Sequence, residues 1–147
     1  MSPSCPISLN RIDSNIVRVI ASEVALFTIM FIITQESFFA VVLLFDFLIR
    51  ALRLNYLSPF GLFANFILSL SSLTPKLCDE SPKRFALYLG LIISSAIVLF
   101  FMVGFSTTAM AISVILLICS ILEMAFDFCI GCKIYYYIVL IQKSVIK

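Results

Sequence analysis

The sequence predicts an all-α membrane protein, a bundle of four transmembrane helices with one interfacial amphipathic helix between the second and third spans. Three observations carry that expectation. Of 147 residues, 63% are hydrophobic and 12% charged, with a mean hydropathy of +1.18, against about half apolar and about a quarter charged in soluble domains. Four apolar runs approach the ~20 residues that a helix needs to cross a bilayer. The Lys and Arg residues all avoid the two shortest connections between those runs. The same composition, with no His, excludes His-based acid–base catalysis and His-ligated metal. A net charge of +2 supplies no basic field for nucleic acid. The chain reads as one integral membrane domain over 1–147.

The polar stretch 1–15, with Pro3, Pro6, Arg11 and Asp13, leads into a first span at about 16–34. A signal peptide is the competing reading of such a run. It fails because the run contains Glu23, has no small-x-small cleavage site before Gln35, and is followed at once by a second span at about 37–54. Gln35 and Glu36 then form the turn of a helical hairpin.

Ser58-Pro59 starts the next helix, because Pro is tolerated in a first turn. Over about 58–73, Ser58, Gly61, Asn65, Ser69 and Ser72 recur at spacings of three and four, with Phe60, Phe63, Ile67 and Leu70 on the other side. That pattern suits a helix lying in the membrane interface; the absence of Lys and Arg from it leaves a re-entrant helix as the alternative. The stretch from Thr74 to Arg84, with Pro75, Pro82 and several charges, is expected as a solvated loop. The third and fourth spans fall at about 85–104 and 108–128, separated by Phe105-Ser106-Thr107. Gly90, Ser94, Ser95 and Ala96 on one, with Ala109, Ala111 and Ser113 on the other, allow close helix approach. The apolar tail from Ile134 to Lys147 is too short to cross and is expected on the surface.

Arg11, Arg18, Arg50, Arg53, Lys76, Lys83, Arg84, Lys133, Lys143 and Lys147 all fall on one side if the chain crosses four times. Because basic residues favour cytoplasmic flanks, both termini and the middle loop are expected in the cytoplasm. Cys5, Cys78, Cys129 and Cys132 then lie at or near one membrane surface, and only Cys119, read as a small hydrophobe, lies within a span.

Two constellations can carry chemistry. In Cys129-x-x-Cys132, two thiols three residues apart are close enough to form a transient disulfide or to share a soft metal ion. A lone pair is half of a zinc site, so Cys5, and after it Cys78, would have to supply the remaining thiolates. A reducing cytoplasm favours an exchangeable pair or a metal site over a structural disulfide, and Lys133 is expected to favour the thiolate of Cys132. The second constellation is an intramembrane polar network of Arg18, Glu23, Asp46, Arg50, Glu123 and Asp127. A charge at mid-membrane costs about 2.5–3.5 kcal/mol on insertion scales, so such groups pair or line a path. Asp46 and Arg50, four apart, can pair directly. At about 100° per residue, Asp127 lies about 40° from Glu123, while Cys129 and Cys132 lie about 240° and 180° away. Carboxylates and thiols therefore share a site only if the fourth helix breaks near Cys129 to Gly131, with Gly131 as the candidate breaker.

Cys5-Pro6, Asn15-x-x-Arg18, Asp46-x-x-x-Arg50, Ser58-Pro59, Pro82-Lys83-Arg84-Phe85-Ala86, Glu123 and Phe128-Cys129-x-Gly131-Cys132-x-x-Tyr135, in this order, resemble the bacterial integral-membrane family termed domain of unknown function 4395. The resemblance implies a small protein of the bacterial inner membrane and an association with thioredoxin-like and sulfur-transfer proteins. Asp127 stands where a small residue such as Gly is expected from the resemblance, and the Tyr-rich tail is longer than usual. The preferred functional expectation is thiol–disulfide or sulfur-transfer chemistry at the cytoplasmic face, with Cys129 and Cys132 as the exchangeable pair, Cys5 as resolving or third thiol, and a soluble thioredoxin-like or sulfurtransferase partner. It requires no cofactor. The alternatives are a soft-metal or sulfur-species transporter, with metal at Cys5, Cys129 and Cys132, and a non-catalytic membrane scaffold.

Overall fold

The computed structural model describes residues 11–54, 56–71, 74 and 77–146, the side chains of residues 11, 12 and 77–79 excepted. The chain enters through β1 (Arg11–Asp13), and the Asp13 carboxylate caps α1 (Ser14–Thr34) by accepting from the Asn15 N–H at 3.0 Å. Ile20, Val24, Thr28 and Phe31 lie one above another on the inward stripe of α1, as a helical repeat of about 3.6 residues requires. Gln35 takes the left-handed conformation and its N–H closes on the Phe31 carbonyl at 2.8 Å, so the expected turn at Gln35 and Glu36 is present. α2 (Ser37–Ala51) returns alongside α1 and stops three residues before the expected end at 54. At ~1.5 Å per residue it rises about 22 Å, less than the ~30 Å hydrocarbon core.

α3 (Pro59–Leu70) starts as Ser58-Pro59 predicts, with the Ser58 hydroxyl accepting from the Gly61 N–H at 3.0 Å. It packs on α1, where the Phe27 and Phe60 rings lie 4.9 Å apart. The expected division of its faces does not hold. Phe60, Gly61 and Ala64 face inward, while Phe63 and Leu70, assigned to the same apolar side as Phe60, are exposed.

The middle connection is also more ordered than a solvated loop. β2 (Leu77–Asp79) pairs antiparallel with β1, Ile12 opposite Cys78, and α4 (Glu80–Val103) begins five residues before the expected 85. Pro82 sits in its first turn, where a missing N–H costs nothing, and Lys83 and Arg84 become helical. Gly104 (φ 96°) makes the turn into α5 (Ser106–Phe126). α6 (Ile130–Val145) then forms from the Tyr-rich tail and lies along α4, burying no residue fully.

α1, α2, α4 and α5 form a closed ring of neighbours, α1 to α2, α2 to α4, α4 to α5 and α5 to α1, with α3 outside on α1 and α6 outside on α4. The small residues seat as expected where two helices meet. Gly90, Ser94, Ala109 and Ser113 are buried, and a Cβ at Gly90 would come within 2.5 Å of the Phe47 ring on α2. Ser95 and Ala111 instead face outward. Large apolar side chains such as Ile33, Phe38, Leu99 and Met102 cover the outside of the ring, which fits contact with lipid rather than water. α1, α4 and α5 are long and apolar enough to cross a membrane.

Candidate functional site

The last helix of the bundle does not run to residue 128. α5 ends at Phe126 because Asp127 adopts the left-handed conformation (φ 53°), its N–H returning to the Glu123 carbonyl at 3.1 Å. Asp is one of the few residues with a Cβ that tolerate this conformation, and the Gly expected there from the resemblance would adopt it without strain. The helix break on which a shared site depends is therefore present, but Asp127 rather than Gly131 makes it. Gly131 has a different task. A Cβ there would lie 2.7 Å from the Ala86 Cβ and 2.8 Å from its Cα, so the first turn of α6 rests on the backbone of α4. Gly131→Ala is accordingly expected to cost about 1–3 kcal/mol, read as a lower melting temperature in detergent; an unchanged melting temperature would mean that this approach is not tight.

Three side chains hold the break in place. The Ser14 hydroxyl, fully buried, donates to Asp127 Oδ1 at 2.7 Å and accepts from Lys83 Nζ at 3.2 Å, and Lys83 lies 3.9 Å from the Asp127 carboxylate. The start of α1, the first turns of α4 and the α5–α6 corner are thereby joined. Arg18 adds a bond from Nε to the Met124 carbonyl at 3.0 Å.

After the break the chain is extended at Cys129 (φ −88°, ψ 111°), which is the N-cap of α6, and Cys132 is the third residue of the helix. Both are free thiols, as is Cys119. The Cys132 thiol donates to the Cys129 sulfur, and this bond, with Lys83 nearby, holds Cys129 below the ordinary thiol range against the opposing effects of burial and Glu123. Placement at a helix N-terminus acts in the same direction. Cys132, as the donor and itself partly buried, is pushed up. Lys133, expected to activate Cys132, instead lies over the Phe128 ring at 5.6 Å, and Lys83 is the cation that faces the pair.

A cavity of about 330 Å³ runs from Cys129 into the bundle. Cys129, Lys83, Glu123, Arg50 and Cys119 line one part of it, and the rest is apolar, with Val24, Phe47 and Leu116 among its walls. Glu123 is within hydrogen-bonding reach of the Cys129 thiol. Asp46 and Arg50 pair as expected, at 2.8 Å, and Asp46 also accepts from the Ser58 hydroxyl and, at 3.4 Å, from the Phe60 N–H, tying α2 to the start of α3. Among the described residues the buried Glu23 carboxylate oxygens and Arg50 Nε have no hydrogen-bond partner.

Of the residues singled out from sequence, Cys129, Glu123 and Arg50 thus share one cavity, with the Cys132 thiol hydrogen-bonded to Cys129 and Asp127 at the α5–α6 corner. Cys5 lies outside the described residues. Among those residues no three His, Cys, Asp or Glu side chains are placed to hold a metal ion. Sequence reasoning passed over Ser14 and Lys83 as site residues and took Cys119 for packing. Lys83 was present in the Pro82-Lys83-Arg84 motif; Ser14 carried no signal beyond its place beside a helix start.

No curated protein and no solved structure matches the chain. The family model described as Domain of unknown function (DUF4395) matches residues 12–139, from β1 through most of α6. The chain therefore belongs to the family termed domain of unknown function 4395.

Proposed function

We propose that the protein is a small bacterial inner-membrane thiol protein whose Cys129 and Cys132 exchange a disulfide with a soluble thioredoxin-like or sulfur-transfer partner. The observation that carries this reading is the position of the pair: Cys129 caps a helix N-terminus, and Cys132, one turn on, donates to its sulfur. A thiolate stabilised in that way is both the attacking and the better leaving sulfur in exchange.

The Cys129 thiolate attacks one sulfur of the partner's disulfide, forming a mixed disulfide and releasing the other partner sulfur as a thiolate, which takes up a proton. Cys132 then loses its proton and attacks the Cys129 sulfur. That closes the Cys129–Cys132 bond and frees the second partner thiolate. Two electrons have passed to the partner, and the reverse sequence returns them. Cys5 remains a candidate for the resolving role.

We read the topology as four crossings with both termini and the thiol corner cytoplasmic, and α3 in the interface. Four crossings are supported by the place of α2 in the ring between α1 and α4, and the orientation by Arg18, Lys83 and Arg50, which meet at the α5–α6 corner or line the cavity beside it.

Cys132→Ser, in the reconstituted protein, is expected to accumulate a mixed disulfide through Cys129 when mixed with an oxidised thioredoxin-like protein. Cys129→Ser is expected to accumulate none. If neither variant is trapped and the wild-type pair never oxidises in cells, the reading is wrong. A Cys5→Ser variant that accumulates the same species assigns resolution to Cys5.

A further inference from the structure

The cavity reaches well past the thiols. Val24 and Ile115, both near the middle of their helices, line it, and Ile115 is 55% exposed on the outer surface of the bundle. The cavity wall at Ile115 thus adjoins the lipid-facing surface, the side from which a ligand soluble in the bilayer would enter. At about 330 Å³, the volume is at the low end of small-molecule sites, which run from about 300 to 1,000 Å³.

Charge decides the kind of molecule. Arg50 and Lys83 are the cations on the wall, and carboxylates already answer both: Asp46 at 2.8 Å from Arg50, and Asp127 at 3.9 Å from Lys83. Glu123 adds a further acidic group to the same wall. No surplus positive charge is left to hold an anion. What the wall offers instead is hydrogen-bond donors beside an apolar chamber, with Arg50 Nε unpartnered among the described residues. These suit a neutral ring bearing carbonyl oxygens.

The geometry points to the cavity as a site for a membrane quinone, which takes the electrons of the Cys129–Cys132 pair. The inference rests on the thiol-exchange reading and supplies the other end of the electron path. Cys129 lines the cavity and meets the ring, while Cys132, outside the lining, closes on Cys129. The Cys129–Cys132 bond forms and the pair loses two electrons and two protons; the quinone takes up both and leaves as hydroquinone. One proton comes from the Cys132 thiol. The other, shed by Cys129, is held at Glu123, which lies within hydrogen-bonding reach of that sulfur. A dithiol on the soluble partner then reduces the pair again.

The test uses the reduced, full-length protein in phosphatidylcholine vesicles without oxygen, with decylubiquinone as the probe, whose fully substituted ring retains no stable thiol adduct. The expected result is one quinone reduced for each Cys129–Cys132 disulfide formed, and none in Cys132→Ser. Ala21→Phe, which fills the cavity from α1, is expected to slow quinone reduction at least tenfold while oxidation by the doubly anionic, water-confined disulfide 5,5′-dithiobis(2-nitrobenzoate) stays unchanged. Ile115→Trp, on the α5 wall of the cavity, serves if Ala21→Phe does not fold. If the pair closes with the soluble disulfide but not with the quinone, or if both filled variants reduce quinone at the wild-type rate, the quinone site is refuted and thiol exchange stands. If the pair closes with neither oxidant, both readings fall.

Discussion

Asp46→Asn is expected to lower the melting temperature in detergent by about 10 °C. The substitution keeps the shape of the side chain and can still accept from Ser58, but it removes the only charge directly paired with Arg50 among the described residues. Breaking a buried ion pair from one side costs about 3–5 kcal/mol because the remaining charge is left uncompensated, and for a chain of this size each kcal/mol moves the midpoint by about 2–4 °C. Combining Asp46→Asn with Arg50→Leu is expected to recover most of the loss, since no buried charge is then left unpaired and the side chain at 46 still accepts from Ser58. A single variant as stable as the wild type, or a double variant as poor as the single, would show that the buried pair within α2 does not carry this stability.

The second large effect concerns the two thiols. Iodoacetamide is expected to label Cys129 well before Cys132, followed residue by residue by mass spectrometry. The sign follows from the direction of each shift. Cys129 lies below the ordinary thiol range, so its reactive thiolate is populated at lower pH, and its labelling rate should rise and level off at a lower pH than that of a free cysteine. Cys132 is pushed the other way and stays protonated across the same window. Cys132→Ala removes the hydrogen bond that contributes most to the Cys129 thiolate. A bond to a charged group is worth about 1.5–3 kcal/mol, and 1.36 kcal/mol is one tenfold step, so labelling of Cys129 near neutral pH should slow about tenfold or more. Equal labelling of the two cysteines in the wild type would remove the basis for assigning Cys129 as the attacking sulfur.

The helices themselves were legible because apolar periodicity and length report burial in a bundle directly. The Gln35–Glu36 turn, the Ser58-Pro59 start and the Asp46–Arg50 pair depend on residues near each other in the chain, and each is present. The middle connection was misread because β1 and β2 are three residues long and far apart in sequence, and such strands carry no pattern of their own. α3 was misread for another reason. Its composition marks a polar and an apolar side, but contact with α1 selects Phe60, Gly61 and Ala64, and lipid tolerates the apolar remainder on the outside.

The amino-acid sequence by itself determined that this is a helical membrane protein, that its sulfur pair lies after the last long helix, and that any joint site with the carboxylates needs a break in that helix. Only the tertiary structure decided where the break falls, that Asp127 makes it, and that Lys83 rather than Lys133 faces the thiols. The reason is physical: periodicity reports which side of a helix is buried, whereas the partner of a charge and the path of a chain after a left-handed residue depend on groups brought together from across the fold. Ser14, Lys83 and Asp127 are joined by two short contacts, yet nothing local to any of them announces the other two.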